Sequence, residues 1–278
     1  MAEKCHGEIV SADAFQVYAG LDVLTAKPSP DLLTRVPHHL IGEVPLTDAW
    51  DVARWLDAAR NRIAEIRERG RVPIIVGGTG LYIRALTRGL ADLPPASRAL
   101  RAELEARPLA DLQHQLAELD AECVRRIDLK NPRRVIRALE VCLLTGQPFS
   151  SFRQQWSAAS SGWRGIVLTR EREELYARID QRTAEMFSCG VVEEVRSTGD
   201  VGATASQTLG LREIRALLAG EMTQPECIAA IQQATRHYAK RQRTWFRRET
   251  DFRTVSLTFP ADEVTLLNEL TRELNSPV

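Results

Sequence analysis

Val72-Pro73-Ile74-Ile75-Val76-Gly77-Gly78-Thr79-Gly80 is the stretch on which the fold turns. Its first five residues are apolar without alternation. That is how a strand reads when helices cover both faces of a parallel sheet. The strand runs into three glycines around the hydroxyl of Thr79, and a helix begins at Leu81. Upstream lies a helix that runs to Arg69 and is ended by Gly70, with Thr47 or Asp48 placed to cap it. Its apolar positions Val52, Trp55, Leu56, Ala59, Ile63 and Ile66 follow the helical repeat. Further upstream, Gly7-Glu8-Ile9-Val10-Ser11 reads as a short buried strand that enters a loop containing Asp13. Strand, helix, strand, glycine-rich loop and helix in that order predict an α/β fold with a parallel sheet.

Past Leu93-Pro94-Pro95 the pattern changes. Short amphipathic helices succeed one another to about Trp156 with no clear strand, so residues 93–161 read as an all-helical insertion. Ser157–Gly162 is small and polar enough for a hinge. Trp163–Thr169 then reads as a strand returning to the sheet. Helices are expected from Arg172 to Ser188, from Val191, from Gly210 to Ala219 and from Gln224 to Phe246, with an edge strand at Thr254–Thr258. The α/β core is therefore expected over 1–92 and 162–278.

The chain has 278 residues, 27% of them charged and 44% hydrophobic, the profile of a globular protein rather than a disordered one. No apolar run approaches the ~20 residues that span a bilayer. The opening Met1-Ala2-Glu3-Lys4-Cys5-His6 holds no apolar stretch for a secretory signal, so a cytoplasmic protein without membrane contact is expected. Cys5, Cys123, Cys142, Cys189 and Cys227 are scattered, which fits reduced thiols and neither a disulfide framework nor a zinc knuckle.

Thirty-seven bases against thirty-seven acids give zero net charge, but the charge is clustered. Arg125, Arg126, Lys130, Arg133, Arg134 and Arg137 face one acid, Asp128, and Arg236, Lys240, Arg241, Arg243, Arg247 and Arg248 face none. Each run is either a solvated helix face, which is the commoner case, or a surface for a polyanion. In the first, Asn131 caps a helix with Pro132 at its first position. Val135, Leu139, Cys142 and Leu143 form the apolar stripe of that helix, with Arg133 and Arg137 on another face. In the second, Arg236, Lys240, Arg243 and Arg247 share a face with Tyr238, Trp245 and Phe246 interleaved, a layout suited to a phosphate backbone.

Two further features point to chemistry. Asp13 stands at the C-terminal end of a parallel strand, where open α/β sheets bind ligands, although a carboxylate there more often caps a turn. The glycines at 77, 78 and 80 either admit a ligand close to the backbone or simply make the turn.

Taken together, these segments resemble the tRNA dimethylallyltransferase (tRNA isopentenyltransferase) family. The shared motifs are Ser11–Tyr18, Thr25-Ala26-Lys27-Pro28, Val36-Pro37-His38-His39-Leu40, Gly77–Tyr82, Leu93-Pro94-Pro95 with Arg101, and Asn131–Val141. The closing run from Ala234 to Arg247 completes the set, so the resemblance extends in order along nearly the whole chain. It implies a P-loop-NTPase-like, nucleotide-binding type of core with a helical insertion that grips the tRNA anticodon stem-loop. It implies transfer of a dimethylallyl group from dimethylallyl diphosphate, with Mg²⁺, to the exocyclic amine of the adenine 3′ of the anticodon, by a monomer. That adenine must leave its stack to be reached.

By the same resemblance the catalytic residues are Asp13 as general base, Thr79, and Arg182. The last sits in an Asp180-x-Arg182-x-x-x-Met186 motif and grips the diphosphate. The implied tRNA contacts are Asp13, Ala14, Phe15 and Gln16; Thr79; Arg101; Arg133, Arg134, Val135, Ile136 and Arg137; and Leu209, Gly210, Leu211 and Arg212. The chain departs from the family at Ala14 (usually Ser), Leu24 (usually Gly) and Leu211 (usually Tyr). The family's Gly-x-Thr-x-x-Gly-Lys-Ser/Thr phosphate loop, whose lysine and hydroxyl hold diphosphate and metal, is not among these residues. Met1–Lys4 matches the end of the helix after that loop. The expectation is thus an N-terminally truncated member with its metal ligand unassigned and weak turnover. The alternatives are a tRNA-binding protein without catalysis and a small-molecule kinase of P-loop type, which would need neither basic segment.

Overall fold

The computed structural model describes residues 1–156, 162–249 and 251–257, with 264, 267, 268, 270 and 271 near the C-terminus. Ser157–Ser161 of the expected hinge and Thr258 of the expected edge strand lie outside the described residues. The first elements are β1 (Gly7–Ser11), α1 (Pro30–Arg35), β2 (His38–His39), α2 (Val52–Glu68), β3 (Val72–Val76) and α3 (Gly80–Arg88). Next come α4 (Arg98–Glu105), α5 (Leu109–Leu119), α6 (Ala121–Arg126), α7 (Pro132–Thr145) and a 3₁₀ stretch, Phe149–Trp156. The chain closes with β4 (Ile166–Thr169), α8 (Arg172–Ser188), α9 (Val191–Arg196), α10 (Leu211–Leu218), α11 (Gln224–Phe246) and β5 (Arg253–Ser256). The chain divides into two units: Met1–Leu86 with Gly162–Val278, and Thr87–Ser161. The second begins at Thr87, in the last turn of α3, a few residues before Leu93-Pro94-Pro95.

In the first unit β1 is the middle strand of a parallel sheet, order β2-β1-β3, paired from Gly7↔Val72 to Ser11↔Val76. Both faces of β1 are covered, with Val10 fully enclosed and Glu8 and Ser11 also buried. The α2 stripe seen in the sequence is the buried one: Trp55, Leu56, Ala59, Ile63 and Ile66. Trp55 stacks on Tyr82 of α3, with ring centroids 4.5 Å apart, and donates its indole N–H to the Ser11 carbonyl at 2.8 Å. That bond ties the end of β1 to α2, and the ring stack carries the link on to α3.

Two expectations are corrected. The α2 cap is Asp51, whose carboxylate accepts from the Ala53 and Arg54 N–H groups at 3.0 Å, rather than Thr47 or Asp48. Thr47 spends its hydroxyl on Asp48, and the Asp48 N–H bonds back to Pro45 in a turn. The strand at 163–169 is shorter, β4, and it pairs with β5 in a separate two-stranded parallel ladder, Ile166↔Arg253 to Thr169↔Ser256. Any strand edge satisfies the same backbone groups, so its apolar sequence does not choose the partner.

A second cluster in this unit joins Leu21 and Leu24 to Val191, Val195, Leu211, Ile214, Cys227 and Ile231, which binds the 21–24 loop to α9, α10 and α11. The second unit is all-helical among its described residues and has its own core, including Leu104, Leu112, Leu116, Cys123, Val135 and Leu139. No helix among the described residues is long and apolar enough to cross a membrane.

Candidate active site and RNA-facing residues

The loops after β1 and β3 are stitched together by backbone. The Ala12 N–H donates to the Val76 carbonyl at 2.7 Å, and the Thr79 N–H returns to the Ala12 carbonyl at 3.1 Å. The Thr79 hydroxyl accepts the Ala14 N–H at 3.1 Å. Asp13 turns between them. Its Oδ1 accepts the N–H groups of Phe15 (2.8 Å) and Gln16 (3.2 Å), so the turn-capping role is real. Its Oδ2 has no hydrogen-bond partner among the described residues. One oxygen thus fixes the loop and the other stays unpartnered, so capping the turn does not use up the carboxylate.

The glycine-rich loop has a packing reason. A Cβ on Gly80 would stand 2.2 Å from the Trp245 indole, so only glycine lets α11 close on this turn. Gln242, also of α11, donates to the Gly78 carbonyl at 3.0 Å. Tyr238, one helical turn earlier, lies beside Thr79 and Gln242. Burial, and then the negative charge of Asp13, push its phenol above the ordinary tyrosine range. The sequence reading took Tyr238 only as an interleaved aromatic. The usable signal was the spacing of Tyr238, Gln242 and Trp245, which puts all three on one face of α11.

Gln16 is spent on the neighbouring loop, where its amide donates to the carbonyls of Thr25 (3.3 Å) and Ala26 (3.0 Å). Ala26 has φ of 48°, a left-handed conformation that a non-glycine residue adopts only under constraint. Glu194 of α9 supplies much of that constraint. Its carboxylate accepts three successive N–H groups, of Asp22, Val23 and Leu24, at 2.6–2.8 Å. Nothing in the sequence signalled it, because the bonds span about 170 residues. Arg182 of α8 donates to the Ala26 carbonyl at 3.4 Å. Burial lowers its pKa, against the opposing pull of Asp13 and Glu185, so Asp13 and Arg182 sense each other electrostatically. Arg182, Arg178 and Arg170 line a groove of about 500 Å³ beside α8.

Other expected residues are placed differently from one another. Leu211 is 1% exposed and Gly210 buried, so Leu211 serves the core and has no side chain to offer RNA. Gly210 has φ of 88°, and a Cβ there would press on Leu24 at 2.9 Å, so the departures at 24 and 211 feed one apolar cluster. Leu209 is half-buried, and Arg212 is exposed beside Glu213. On α11, Arg236 leaves the basic face: it is paired with Asp180 and lies over the Tyr176 ring. Lys240, Arg243 and Arg247 remain exposed.

In the second unit Val135 and Ile136 are core residues, 0% and 7% exposed, which withdraws their side chains from any RNA contact. Arg133 and Arg134 are exposed in the first turn of α7. Arg101 and Arg137 are instead bound to the buried Glu140. For metal, the described residues form no group of three His, Cys, Asp or Glu side chains. Asp13 and Thr79 alone do not make a Mg²⁺ cage.

Residues 16–249 match the IPP transferase family model. The chain is 43% identical to a tRNA dimethylallyltransferase of Caulobacter sp. (strain K31), over 90% of this chain and 84% of that protein. It is 41% identical to a tRNA dimethylallyltransferase of Akkermansia muciniphila, over 97% and 91%. Among solved structures it resembles a tRNA isopentenylpyrophosphate transferase from Staphylococcus epidermidis, with TM-score 0.70 and 31% identity over 99% of this chain and 92% of that one. The motifs, the P-loop-NTPase-like sheet and these likenesses agree, and the chain belongs to the IPP transferase family.

Proposed function

We propose that this chain transfers a dimethylallyl group from dimethylallyl diphosphate to the exocyclic amine of the adenine 3′ of a tRNA anticodon, in the cytoplasm. The observation that carries the reading is the Asp13 carboxylate. One oxygen is locked by two backbone N–H groups and the other is unpartnered, in a loop tied to the Thr79 hydroxyl through Ala14 and within the field of Arg182.

An adenine amine is a weak nucleophile, and a carboxylate that takes its proton as the N–C bond forms lowers the barrier. Asp13 Oδ2 is free for that proton. The carbon–oxygen bond of the donor breaks in the same step, and its electrons leave with the diphosphate. Arg182 is suited to that developing charge, because a planar guanidinium offers paired N–H donors that match phosphate oxygens. The groove beside it also holds the exposed Arg178, while Arg170 is paired with Glu174. Thr79, whose hydroxyl is held by the Ala14 N–H, is suited to orienting the base against Asp13. Arg133, Arg134, Lys240, Arg243 and Arg247 are free to meet the RNA backbone. The Mg²⁺ that the family resemblance implies would rest mainly on donor phosphates and water, as Mg²⁺ commonly does.

The reading is tested by incubating the chain with dimethylallyl diphosphate and an anticodon stem-loop. Gain of one five-carbon unit on that adenine is expected. RNA returned unmodified, or modified elsewhere, counts against it.

A further inference from the structure

Glu140 is a glutamate with no exposed surface, on a helix whose other buried residues are apolar or cysteine. Every contact it makes is to a donor. Oε1 accepts the Ser97 N–H at 2.7 Å and Arg101 Nε at 3.1 Å. Oε2 accepts Arg101 Nη2 at 3.1 Å and Arg137 Nη1 at 2.5 Å. Arg137 is also fixed from its far side, with Nη2 donating to the Pro94 carbonyl at 2.8 Å. Burial alone would raise the pKa of Glu140, but the two guanidiniums and the Ser97 N–H outweigh it and hold the carboxyl below the ordinary glutamate range. One negative charge thus faces two positive ones, and the cluster keeps a net charge of +1.

The arginines are not consumed by this arrangement. Their side chains remain 41% and 27% exposed. Both meet the same oxygen of Glu140, so their guanidiniums are neighbours with donors left over. Arg133 stands one turn before Arg137 on the same helix and is exposed. A bare ion pair for stability would be better served by apolar residues, since burying a charge costs more than most pairs return.

We propose that Glu140 is a positioning residue that holds Arg101 and Arg137 as a two-arginine clamp for an RNA phosphate. The proposal rests on the tRNA reading above and names the device that aims the arginines. A planar guanidinium grips a phosphate through paired N–H groups, so orientation matters as well as charge.

The test exploits a conflict of signs. Glu140→Gln removes a negative charge, so long-range electrostatics alone would tighten RNA binding. Positioning requires the reverse, because the Gln amide presents a donor where two guanidiniums need an acceptor. Binding of an anticodon stem-loop is measured at several salt concentrations for the parent, Glu140→Gln, Arg101→Lys and the exposed control Glu118→Gln. Folding of each is checked by circular dichroism at the same temperature. We expect about tenfold weaker binding for Glu140→Gln, the lower end of what one charge-assisted hydrogen bond contributes. A salt slope shallower by about one unit should accompany it. Glu118→Gln should bind at least as well as the parent. Arg101→Lys keeps the charge and Glu140, so it guards against a misfolded Glu140→Gln, and it should weaken binding too.

Parent-like or tighter binding by folded Glu140→Gln overturns the proposal, as does parent-like binding by Arg101→Lys. Inorganic pyrophosphate at matched ionic strength separates the sources of phosphate. If it displaces the RNA from the parent but not from Glu140→Gln, the clamp serves a small anion and the RNA assignment fails. If the parent does not bind the stem-loop at all, the tRNA reading itself has failed.

Discussion

The Asp13 loop and the Glu140 cluster place charged side chains by opposite means. Around Asp13 the work is done by backbone: Ala12, Ala14 and Thr79 cross-link two loops, and N–H groups rather than cations hold Asp13 and Glu194. The charges of Asp13 and Arg182 are left without a salt-bridge partner among the described residues. Around Glu140 the cations themselves are the scaffold, and two arginines are oriented by the acid they neutralise. A site that must take up a proton needs an unpartnered carboxylate, whereas a site that grips a fixed phosphate gains from arginines that do not move. On the proposed reading, the same kind of residue, a buried or half-buried carboxylate, is reagent in one unit and strut in the other.

Removing the strut should have the largest effect. Glu140→Ala leaves two guanidiniums without their acceptor and should cost about 2–3 kcal/mol, less than a fully buried pair because both guanidiniums keep contact with water. Hydrogen exchange should accelerate across α4 and α7 and stay unchanged in α2. Equal protection in α4 would mean that the carboxylate supports nothing. Acid should act on the same element. The native pKa of Glu140 is lowered from 4.5, so its contribution is complete above that value and is lost as pH falls through the lowered native value. Exchange protection in α4 and α7 should therefore fall below pH 4.5 in the parent, and less steeply in Glu140→Gln.

The backbone-built site should break through its close approaches. Gly80→Ala forces a methyl group into the Trp245 ring and should cost about 1–3 kcal/mol, as overpacking does. Gly199→Ala, with nothing within 4 Å of its new methyl group, is the control and should be near neutral in the same denaturant titration. A smaller effect, about 1–2 kcal/mol, is expected from Glu194→Gln, which leaves part of the 22–24 turn without its acceptor. It should appear as faster exchange of the Asp22, Val23 and Leu24 amides. Unchanged exchange there would show that the turn holds itself.

Elements set by local pattern were legible in the sequence. The strands Gly7–Ser11 and Val72–Val76 and the helices Arg172–Ser188 and Gln224–Phe246 follow from apolar runs, periodicity and caps, and the structure has those bounds. Choices between distant partners were not. The apolar sequence of β4 does not say that it pairs with β5, and the cationic spacing of α11 does not say that Asp180 takes Arg236 out of the row. Val135, Ile136 and Leu211 sat within motifs associated with RNA, yet their side chains follow the helical repeat into the core. Tyr238, Glu194 and Glu140 escaped because each acts through a loop or side chain that only folding brings near.

The division between chemistry at Asp13 and RNA grip in the second unit is tested most directly by measuring two quantities on two variants. Stem-loop affinity and the single-turnover rate of prenyl transfer at saturating RNA are determined for Asp13→Asn and Arg133→Ala beside the parent. The account predicts that Asp13→Asn loses about 10²–10⁴-fold in rate, as for a positioned general base, with affinity nearly unchanged. Arg133→Ala should lose affinity, with a salt slope shallower by about one unit, and keep its rate once saturated. An Asp13→Asn chain that transfers the prenyl group as fast as the parent would contradict the account.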